Sequence, residues 1–365
     1  MTNEIGASLL RATRADVLLA ASRHPLMPRL AAGLESTARE GDETRLLLVS
    51  GGGDSMALLV ACAAIGRRRG SRAEFAVLSI DHGLRAGSAQ EVESVLATAR
   101  DLGFERTFGR RVEIAPGTNV LDAARAARYE AAIELARALQ GATLVVAHQA
   151  DDRAESFLMA LARREGLGAC TKLLPWRAFP DWEGAEIARP LLGLTRAELR
   201  LFLRDCGVAW FEDPSNDAHR RGFLRSDPAS RRLVGEIALG MADACDEAAE
   251  LLALRDELVE RALVSGRSEG EVPARMARSC RREAFDALPI AARRALLARL
   301  ARAAGVSIAR ESLVAAAATA SRTPRRWNCS HGSELRIGAE TVEIARVGHP
   351  EVRCDEATAR AGTRP

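Results

Sequence analysis

The chain has 365 residues, of which 47% are hydrophobic, and its formal net charge at pH 7 is +3. This composition excludes an intrinsically disordered chain, and the length allows two or three domains with apolar cores. The small positive charge permits a polyanionic partner without requiring one. All but one of the 52 basic residues are arginines, Lys172 being the exception, so arginine content is weak evidence for nucleic-acid binding.

Cysteine usage and hydropathy bear on the compartment of the protein. The 7 cysteines are scattered and form no Cys-x-x-Cys pair, which favours a reducing compartment over a disulfide scaffold or a zinc ribbon. The sequence has no apolar run that approaches the ~18 residues of a membrane span, and it has no signal-peptide pattern. We therefore expect a cytoplasmic protein.

The first strong pattern is an apolar strand that ends in a glycine turn. Residues 1–43 have helix-like apolar spacing broken by prolines, and we expect one or two helices there. Leu46 to Val49 form an unalternating apolar run, typical of a strand buried on both faces of a parallel sheet. The next six residues are Ser50, Gly51, Gly52, Gly53, Asp54 and Ser55, and an apolar segment of helix length follows.

This turn predicts an anion site. Glycines let a ligand approach the main chain, and the free N–H groups and positive dipole end of the following helix face the turn. The string matches neither the Walker loop nor the dinucleotide fingerprint. It resembles the pyrophosphate loop of N-type ATP pyrophosphatases, which implies that Ser50 and Ser55 hold phosphates of ATP and that Asp54 holds Mg²⁺. A turn that serves backbone geometry alone is the alternative.

Two later strands also end in polar residues. Glu74 to Ile80 is followed by Asp81 and His82, and Ala142 to Val146 is followed shortly by His148. The alternation of such strands with helices predicts a doubly wound, mostly parallel α/β sheet. Ligands of open α/β sheets bind beyond the carboxyl ends of the strands, so we expect these residues and the glycine turn to share one edge.

Charged residues on two predicted helices extend this site. Asp152 and Glu155 lie three apart in the first turn of the helix after the third strand, a spacing able to grip an ammonium group or a metal. A favourable interaction with the helix dipole is the alternative. Arg125 and Arg128 lie side by side on the helix predicted over Val120 to Leu139, either as phosphate contacts or as part of a solvated face.

The rest of the chain contains a loop-rich stretch and a helical domain. Gly166 to Gly184 is predicted as a loop, and Thr195 with Glu198 forms a capping box that begins a helix. From residue 233 the pattern is helical, with short strands only near the end. We expect an N-terminal helical extension over 1–43, a catalytic domain over 44–232, a smaller, mainly helical domain with a terminal hairpin over 233–347, and a disordered tail over 348–365.

Two arginine clusters are candidates for contacts with nucleic-acid phosphates. One lies in a polar loop and contains Arg220, Arg221 and Arg225. The other lies in the predicted helical domain at Arg293 and Arg294. Solvated surface clusters are the alternative interpretation of both.

The ordered combination of these motifs resembles the tRNA(Ile)-lysidine synthetase family over about residues 44–226. The motifs that carry the resemblance are Ser50 to Ser55, Asp81 to Arg85, Ala124-Arg125 with Arg128-Tyr129, Ala147-His148 with Asp151-Asp152 and Glu155, Arg189 to Leu192, and Trp210 with Glu212 to Asn216. A weaker likeness to the family's helical C-terminal domain lies at Leu288-Pro289 and Arg293 to Leu300.

The resemblance implies a two-step reaction. ATP adenylates the C2 carbonyl oxygen of the wobble cytidine of the CAU-anticodon tRNA(Ile), and the ε-amine of free lysine then displaces AMP to give lysidine. The residues that match the family's catalytic motifs are Asp54, His148, Asp152 and Glu155. The implied ligand contacts are Ser50 to Ser55, Asp81, His82, Arg125 and Arg189 for ATP, Asp54 for Mg²⁺, Asp152, Glu155 and Arg225 for lysine, and Arg128, Arg220, Arg221, Arg293 and Arg294 for tRNA.

The sequence also departs from the family pattern. Gln149 stands where the family usually has a second His, Arg153 stands where it has Gln, and the spacing around Arg225-Ser226 is displaced. A tRNA-thiolating relative is one alternative, disfavoured because paired cysteines are absent. A non-catalytic, ATP-responsive RNA-binding protein is another, but it would have no chemical need for Asp54. The oligomeric state is left open, a homodimer included.

Overall fold

The computed structural model describes residues 7–38, 44–69, 75–83, 87–113, 120–165, 167–178, 185–212, 224, 227–265, 277–319 and 324–346. The chain forms two compact units, Met1–Ala249 and Glu250–Pro365, and the division falls within one long helix. The sequence pattern places the change of character earlier, between residues 232 and 233. No helix in the described ranges is both long and apolar enough to cross a membrane.

The first unit is built on a six-stranded sheet with helices on both faces. Its strands are β1 (Arg45–Leu48), β2 (Phe75–Asp81), β3 (Arg106–Arg111), β4 (Thr143–Val145), β5 (Trp176–Ala178) and β6 (Glu186–Ala188). Its helices are α1 (Arg14–Arg23), α2 (Met27–Ser36), α3 (Gly53–Arg69), α4 (Ser88–Leu102), α5 (Val120–Ala138), α6 (Ala150–Ala162), α7 (Arg196–Asp205) and the first part of α8 (Pro228–Val264). A 3₁₀ segment, Leu167–Leu173, follows α6.

The sheet has the strand order β3-β2-β1-β4-β6-β5. All neighbours pair in parallel except β5, which runs antiparallel to β6 at the edge. The predicted doubly wound, mostly parallel α/β fold is confirmed. Because β2 lies on one side of β1 and β4 on the other, the strand order reverses at β1. Ligands of such sheets bind in the crevice at this switch point, beyond the carboxyl ends of the strands.

Apolar cores cover both faces of the sheet because the side chains of β1 alternate between them. Leu47 is fully buried in one core with Met56 of α3, and Leu46 is fully buried in the other with Tyr129 and Ile133 of α5. Helices α1 and α2 also contribute buried side chains to the first core. The predicted N-terminal helices are therefore an integral part of this unit.

The second unit combines helices with a small antiparallel sheet. After α8 come β7 (Ser279–Arg281), α9 (Arg282–Asp286), α10 (Ile290–Ala303), α11 (Arg310–Ala317), β8 (Arg325–Cys329), β9 (Ser333–Ile337) and β10 (Thr341–Arg346). The strand order is β7-β10-β9-β8, with antiparallel neighbours throughout. The sheet is thus larger than the predicted terminal hairpin. Sequence patterning missed β7 because a strand of 3 residues is too short to show alternation.

Two other local predictions are wrong in part. The loop predicted over Gly166 to Gly184 contains the 3₁₀ segment and β5, which forms through backbone pairing with β6 rather than through any apolar pattern of its own. The helical pattern predicted from residue 233 is interrupted over residues 283–305, where the structure has two helices, α9 and α10, with a break at Leu288-Pro289. Proline lacks the N–H that a helix interior needs and restricts the residue before it.

Candidate active site

The glycine turn joins β1 to α3 at the carboxyl edge of the sheet. Gly51 has a φ of +85°, in the left-handed region that favours glycine. A Cβ on Gly51 would lie 2.8 Å from Phe211 Cδ2, so the approach of this ring also excludes a side chain. Phe211 is held there by its N–H, which donates to the Gly51 carbonyl at 2.9 Å. Backbone conformation and packing therefore both require glycine at this position.

The two serines of the turn hold each other. Ser55 Oγ accepts a hydrogen bond from the Ser50 N–H at 3.2 Å and donates to the Gly52 carbonyl at 2.9 Å. The two hydroxyl oxygens lie 3.3 Å apart. The turn is thus closed by its own side chains at the N-terminus of α3, where backbone N–H groups and the helix dipole favour an anion. This geometry suits phosphate oxygens, as the sequence predicts.

The segment after α7 covers the glycine turn. Trp210 Nε1 donates to Glu212 Oε1 at 2.9 Å, and Arg200 Nη2 donates to Glu212 Oε2 at 3.0 Å. A Cβ on Gly53 would lie 3.5 Å from Trp210 Cδ1, so the indole packs against the start of α3. The motif that contains Trp210 and Glu212 therefore lines the same turn as the serines.

The predicted acidic residues begin α6 directly after the end of β4. Gln149 is the N-cap, and its N–H donates to Asp152 Oδ2 at 3.1 Å while its side-chain oxygen accepts from the Asp151 N–H at 2.5 Å. Glu155 follows one turn later and is fully buried. One carboxylate oxygen of Asp152 thus completes the cap, and the other, Oδ1, is directed to a different partner.

That partner is Arg196, the first residue of α7. Arg196 Nη2 lies 3.2 Å from Glu155 Oε1 and 3.5 Å from Asp152 Oδ1, and Arg196 Nε lies 3.8 Å from Asp54 Oδ2. One guanidinium therefore joins the glycine turn to the acidic residues of α6. Sequence analysis missed Arg196, although a cation in the first turn of a helix, against the helix dipole, is a signal that could have found it.

Asp54 has an unusual electrostatic environment. Burial and then the neighbouring Asp152 carboxylate raise the pKa of Asp54 to about 7, against the lowering effects of Arg196, Arg200 and the Gln149 side chain. The side chain is still 26% exposed, so a ligand can reach it. Its buried oxygen, Oδ1, has no hydrogen-bond partner among the described residues. This carboxylate can therefore accept a cation or a hydrogen-bond donor that the described residues do not supply.

These features fit Mg²⁺ held jointly by protein and nucleotide. Magnesium prefers oxygen ligands and commonly binds one or two carboxylates together with substrate phosphates and water. Asp54 offers a hard oxygen ligand beside the phosphate-binding turn. Within the described ranges, no group of three or more His, Cys, Asp or Glu side chains is arranged to hold a metal ion. The fit is therefore to a nucleotide-bound ion and not to a site built from protein ligands alone.

Asp81, at the end of β2, serves the loop that follows it. Its Oδ1 accepts hydrogen bonds from the Gly83 N–H at 2.8 Å and from Ser88 Oγ at 2.5 Å, and Arg111 Nε lies 3.9 Å from Oδ2. Burial alone would raise the pKa of Asp81, but these hydrogen bonds and the Arg111 charge outweigh it and lower the pKa below its usual value. Asp81 is therefore an ionised anchor for the turn after β2.

His82, Arg125 and Arg128 form part of a basic group around Tyr129. The guanidinium carbons of Arg125 and Arg128 lie 5.1 and 5.2 Å from the centroid of the Tyr129 ring. Burial and then the Arg128 charge lower the pKa of His82, which leaves its imidazole neutral at pH 7. In the part of the chain that the structure describes, His82 Nδ1 and Arg128 Nε are buried without hydrogen-bond partners. Unsatisfied donors in a cationic environment suit a phosphate group.

Arg189 completes the basic group beside His148. Its Nε donates to His148 Nδ1 at 3.2 Å, and its Nη1 donates to the Leu174 carbonyl at 2.8 Å. Burial lowers the pKa of Arg189 to about 10, with Tyr129 opposing the shift and Arg125 adding to it, so the guanidinium stays charged at neutral pH. Because His148 Nδ1 accepts a hydrogen bond, the neutral imidazole carries its proton on Nε2.

Two departures from the family pattern have structural roles. Gln149 caps α6 through its side-chain oxygen. Arg153 is 2% exposed, and its guanidinium donates to the carbonyls of Leu173 and Ala242, both at 3.0 Å, and to Asp246 Oδ1 at 2.6 Å. Arg153 therefore ties α6 to the 3₁₀ segment and to α8. Neither substitution removes a member of the carboxylate cluster.

The predicted catalytic residues lie in two groups. Asp54, Asp152 and Glu155 surround the Arg196 guanidinium, whereas His148 pairs with Arg189 in the basic group. The spacing argument placed Asp152 and Glu155 on one face of α6, where both contact Arg196, but it did not predict this cation. The binding of an ammonium group or a metal by the pair stays a prediction.

The predicted tRNA contacts are placed only in part. Arg293 lies in the second unit, where its side chain donates to the carbonyls of Leu288 at 2.9 Å and Asp286 at 2.5 Å and so braces the start of α10. Arg294, next to it, is exposed. The predicted residues Arg220, Arg221, Arg225 and Ser226, and the tail over 348–365, lie outside the described residues.

Comparisons with known proteins match these motifs. The PP-loop domain family model matches residues 27–228, more than half of the chain. A tRNA(Ile)-lysidine synthase of Hyphomonas neptunium is 41% identical over 172 residues, which cover 46% of this chain and 46% of the relative. The corresponding enzyme of Leifsonia xyli subsp. xyli is 35% identical over 226 residues, covering 61% and 65%. That of a Bradyrhizobium species is 34% identical over 270 residues, covering 69% and 72%.

A solved U34-tRNA thiolase from Methanococcus maripaludis is a distant structural neighbour, with 12% sequence identity and a TM-score of 0.41 over 60% of this chain and 80% of that chain. This likeness is too low to bear on function. The chain spans about half to two thirds of the length of the first curated relatives that it matches. On the extent of the family match and the identity to the Bradyrhizobium relative, the chain belongs to the PP-loop family and, within it, to the tRNA(Ile)-lysidine synthase family.

Proposed function

We propose that this chain is an ATP-dependent tRNA(Ile)-lysidine synthase. The observation that carries the proposal is the junction at Arg196, which places Asp54 of a phosphate-binding turn against the acidic pair Asp152 and Glu155. One side of this junction suits a leaving pyrophosphate, and the other suits an amine. The relatives are named tRNA(Ile)-lysidine synthases, which supports tRNA(Ile) as the RNA. Because lysidine contains lysine, the same name supports lysine as the amine.

The glycine turn serves the first step. The cytidine O2 attacks the α-phosphorus of ATP, the bond to the β-phosphate oxygen breaks, and pyrophosphate leaves. The backbone N–H groups at the start of α3, with Ser50 and Ser55, hold the departing phosphates. Asp54 is the protein ligand for Mg²⁺, which when bound neutralises charge on the phosphates.

The acidic pair serves the second step. Asp152 and Glu155 bind free lysine through its positive charge. The ε-ammonium first loses a proton to solvent, and the lone pair of the resulting neutral amine then attacks C2 of the adenylated base. The C2–O bond then breaks, AMP leaves, and the nitrogen loses a proton. His148, whose neutral form carries its proton on Nε2, donates a hydrogen bond at the reacting centre. Arg225 is included in this proposal as a further lysine contact.

The basic group binds phosphates of the two larger substrates. We assign His82, Arg125 and Arg189 to ATP and Arg128 to tRNA. The buried nitrogens His82 Nδ1 and Arg128 Nε, which have no hydrogen-bond partner among the described residues, support this assignment. Asp81 serves ATP binding indirectly, through the turn that it holds beside His82. Further tRNA contacts are assigned to Arg220 and Arg221, which follow Glu212 in the sequence, and to Arg293 and Arg294 of α10. Such contacts to phosphate position an RNA without reading its sequence.

The direct test is nucleoside analysis after incubation of the purified chain with ATP, Mg²⁺, labelled lysine and a CAU-anticodon tRNA(Ile) transcript. We expect lysidine at position 34 and the release of AMP and pyrophosphate. The same transcript with uridine at position 34 is the matched control and should take up no label. ATP binding without any lysidine on the CAU transcript would contradict the proposal.

A variant test separates catalysis from RNA binding. Asp54→Ala removes the assigned Mg²⁺ ligand, and we expect lysidine formation to fall by at least about 100-fold while the affinity for tRNA stays within about twofold. An Asp54→Ala protein that modifies tRNA as well as the parent would favour a non-catalytic role for this carboxylate.

A further inference from the structure

Arg196 contacts all three carboxylates assigned above, yet it has no role in the proposed chemistry so far. Its guanidinium lies within 3.2 Å of Glu155, 3.5 Å of Asp152 and 3.8 Å of Asp54. The side chain is 17% exposed and Glu155 only 1%, so the contact with Glu155 is shielded from water. Breaking a shielded ion pair leaves one buried charge without compensation, so the position of Arg196 depends on the positions of the carboxylates around it.

The backbone of Arg196 is fixed to the same helix that carries the acidic pair. The Arg196 N–H donates to Asp151 Oδ2 at 2.9 Å, and the Ala150 N–H donates to the Leu194 carbonyl at 2.8 Å. The first turns of α6 and α7 therefore hold each other, and Arg196 cannot shift without moving Asp152 and Glu155. Asp151, which the motif contains, is the residue that fixes this register.

The placement of Arg196 works against local helix preference. The N-terminus of a helix carries positive partial charge, so an arginine at its first position is unfavourable by a few tenths of a kcal/mol or more unless anions compensate it. Here Asp152 and Glu155 compensate it. A sequence that breaks a local rule in this way commonly does so at a functional site.

Arg196 also bears on the charge of the acidic pair. Without Arg196 the two carboxylates, one of them fully buried, would repel each other. Asp152 Oδ2 would stay in the cap of α6, but the nitrogen that holds Asp152 Oδ1 and Glu155 Oε1 together would be lost. The cation therefore influences both the spacing of the two oxygens and the charge that the pair offers to an incoming amine.

We propose that Arg196 is the positioning residue of the amine site, holding Asp152 and Glu155 in the arrangement that binds lysine. This inference rests on the proposed function, because it takes the acidic pair as the lysine site. It predicts that loss of the Arg196 charge weakens the use of lysine much more than the use of ATP.

The test compares Arg196→Gln, Arg196→Lys and Arg204→Gln with the parent in steady-state lysidine formation. Arg204 lies on the same helix and is 73% exposed, so it controls for loss of an arginine from α7. For Arg196→Gln we expect the KM for lysine to rise by about 10- to 100-fold, as for loss of a residue that orients a ligand-binding group. The KM for ATP should change by less than about threefold, and Arg204→Gln should match the parent. Arg196→Lys keeps the charge but loses the planar set of donors that reaches three carboxylates, so its lysine KM should rise by a smaller factor than that of Arg196→Gln.

Thermal unfolding of each variant shows whether the variant is folded, which the comparison of KM values requires. If Arg196→Gln fails to fold, Arg196→Lys is used instead, and its KM for lysine must rise by a larger factor than its KM for ATP. An unchanged KM for lysine in Arg196→Gln would overturn the inference, because Arg196 would then have no effect on lysine binding. A lowered KM would also overturn it, because Arg196 would then compete with the amine for the carboxylates. Failure of the proposed function is distinguishable, because the parent itself would then form no lysidine.

Discussion

Two aspartates at neighbouring strand ends show how strongly the surroundings of a carboxyl group determine its pKa. Burial and the Asp152 carboxylate raise the pKa of Asp54 to about 7, whereas hydrogen bonds and the Arg111 charge outweigh burial and lower the pKa of Asp81. Asp54 is poised to change its charge when a cation or a phosphate arrives. Asp81 stays ionised and holds a loop. The same residue type therefore has a ligand-binding role in one place and a structural role in the other.

This contrast predicts opposite pH dependences of stability. The folded-state pKa of Asp54, about 7, lies above its usual value of 3.8, so the folded protein binds the proton more tightly than the unfolded chain does. The Asp54 carboxyl therefore costs stability as the pH rises from about 4 to about 7. We expect Asp54→Asn to increase the free energy of unfolding at pH 8 by up to about 4 kcal/mol in the absence of metal, and to leave it unchanged near pH 3.

Urea unfolding with a chelator, at several pH values, measures this effect. Asp81→Asn is the matched control and should destabilise the protein at pH 8, because a lowered pKa contributes stability that is present above the unfolded pKa and is lost as the pH falls. A loss of stability in Asp54→Asn at pH 8 would show that Asp54 is satisfied in the folded protein and is not held ready for a ligand.

At the scale of elements, the site is made by the N-termini of three helices. α3 begins at the glycine turn, α6 begins with the capping box of Gln149 and Asp152, and α7 begins with the capping box of Thr195 and Glu198 that the sequence predicts. Three positive dipole ends beside one another favour anions. The cluster of carboxylates on these turns therefore also stabilises the helices that present them.

Arg153 anchors α6 to the 3₁₀ segment and to α8. Its buried guanidinium contacts two backbone carbonyls and Asp246, so Arg153→Gln would leave these groups unpaired or hydrated. We expect a loss of about 2–4 kcal/mol in the free energy of unfolding, measured by urea denaturation. Arg163→Gln, at the exposed end of the same helix and paired with Glu165, should cost less than about 1 kcal/mol. Equal losses in the two variants would contradict the role of Arg153 as a buried tie.

At the scale of the whole molecule, the parallel sheet gathers residues that are far apart in sequence. β1 lies at the point where the strand order reverses, and its flanking strands β2 and β4 end beside the glycine turn. The site therefore depends on the core that positions β1. The second unit has a core of its own and an antiparallel sheet.

Replacement of Leu47 tests whether the site depends on the core that positions β1. It is fully buried at the centre of the sheet, and we expect Leu47→Ala to lower the free energy of unfolding by about 2–5 kcal/mol. Hydrogen exchange should show faster opening of the amides of β1, β2 and β4. Leu161, on α6, is 61% exposed, and its replacement by alanine should change the stability by no more than about 0.5 kcal/mol. Comparable effects of the two substitutions would mean that β1 is not central to the core.

Prediction from sequence succeeded where one short stretch contains the whole signal. The run from Leu46 to Ser55, the acidic first turn of α6 and the capping box at Thr195 are local patterns, and the structure contains all three. It failed for β5 and β7, because strands of 3 residues form through pairing with neighbours that the pattern cannot show. It also missed the tie made by Arg153, since a buried arginine looks like any other arginine in a chain rich in them.

The sequence by itself determined the fold class, the position of the glycine turn and the placement of the acidic pair on one face of α6, because hydrophobic period, glycine placement and i, i+3 spacing act over a few residues. Only the tertiary structure decided that one arginine joins the turn to the pair. Asp54, Asp152 and Arg196 belong to three elements, and no local pattern specifies their distance. Their contact follows from a parallel sheet that brings the carboxyl ends of β1 and β4 together and from the mutual anchoring of α6 and α7.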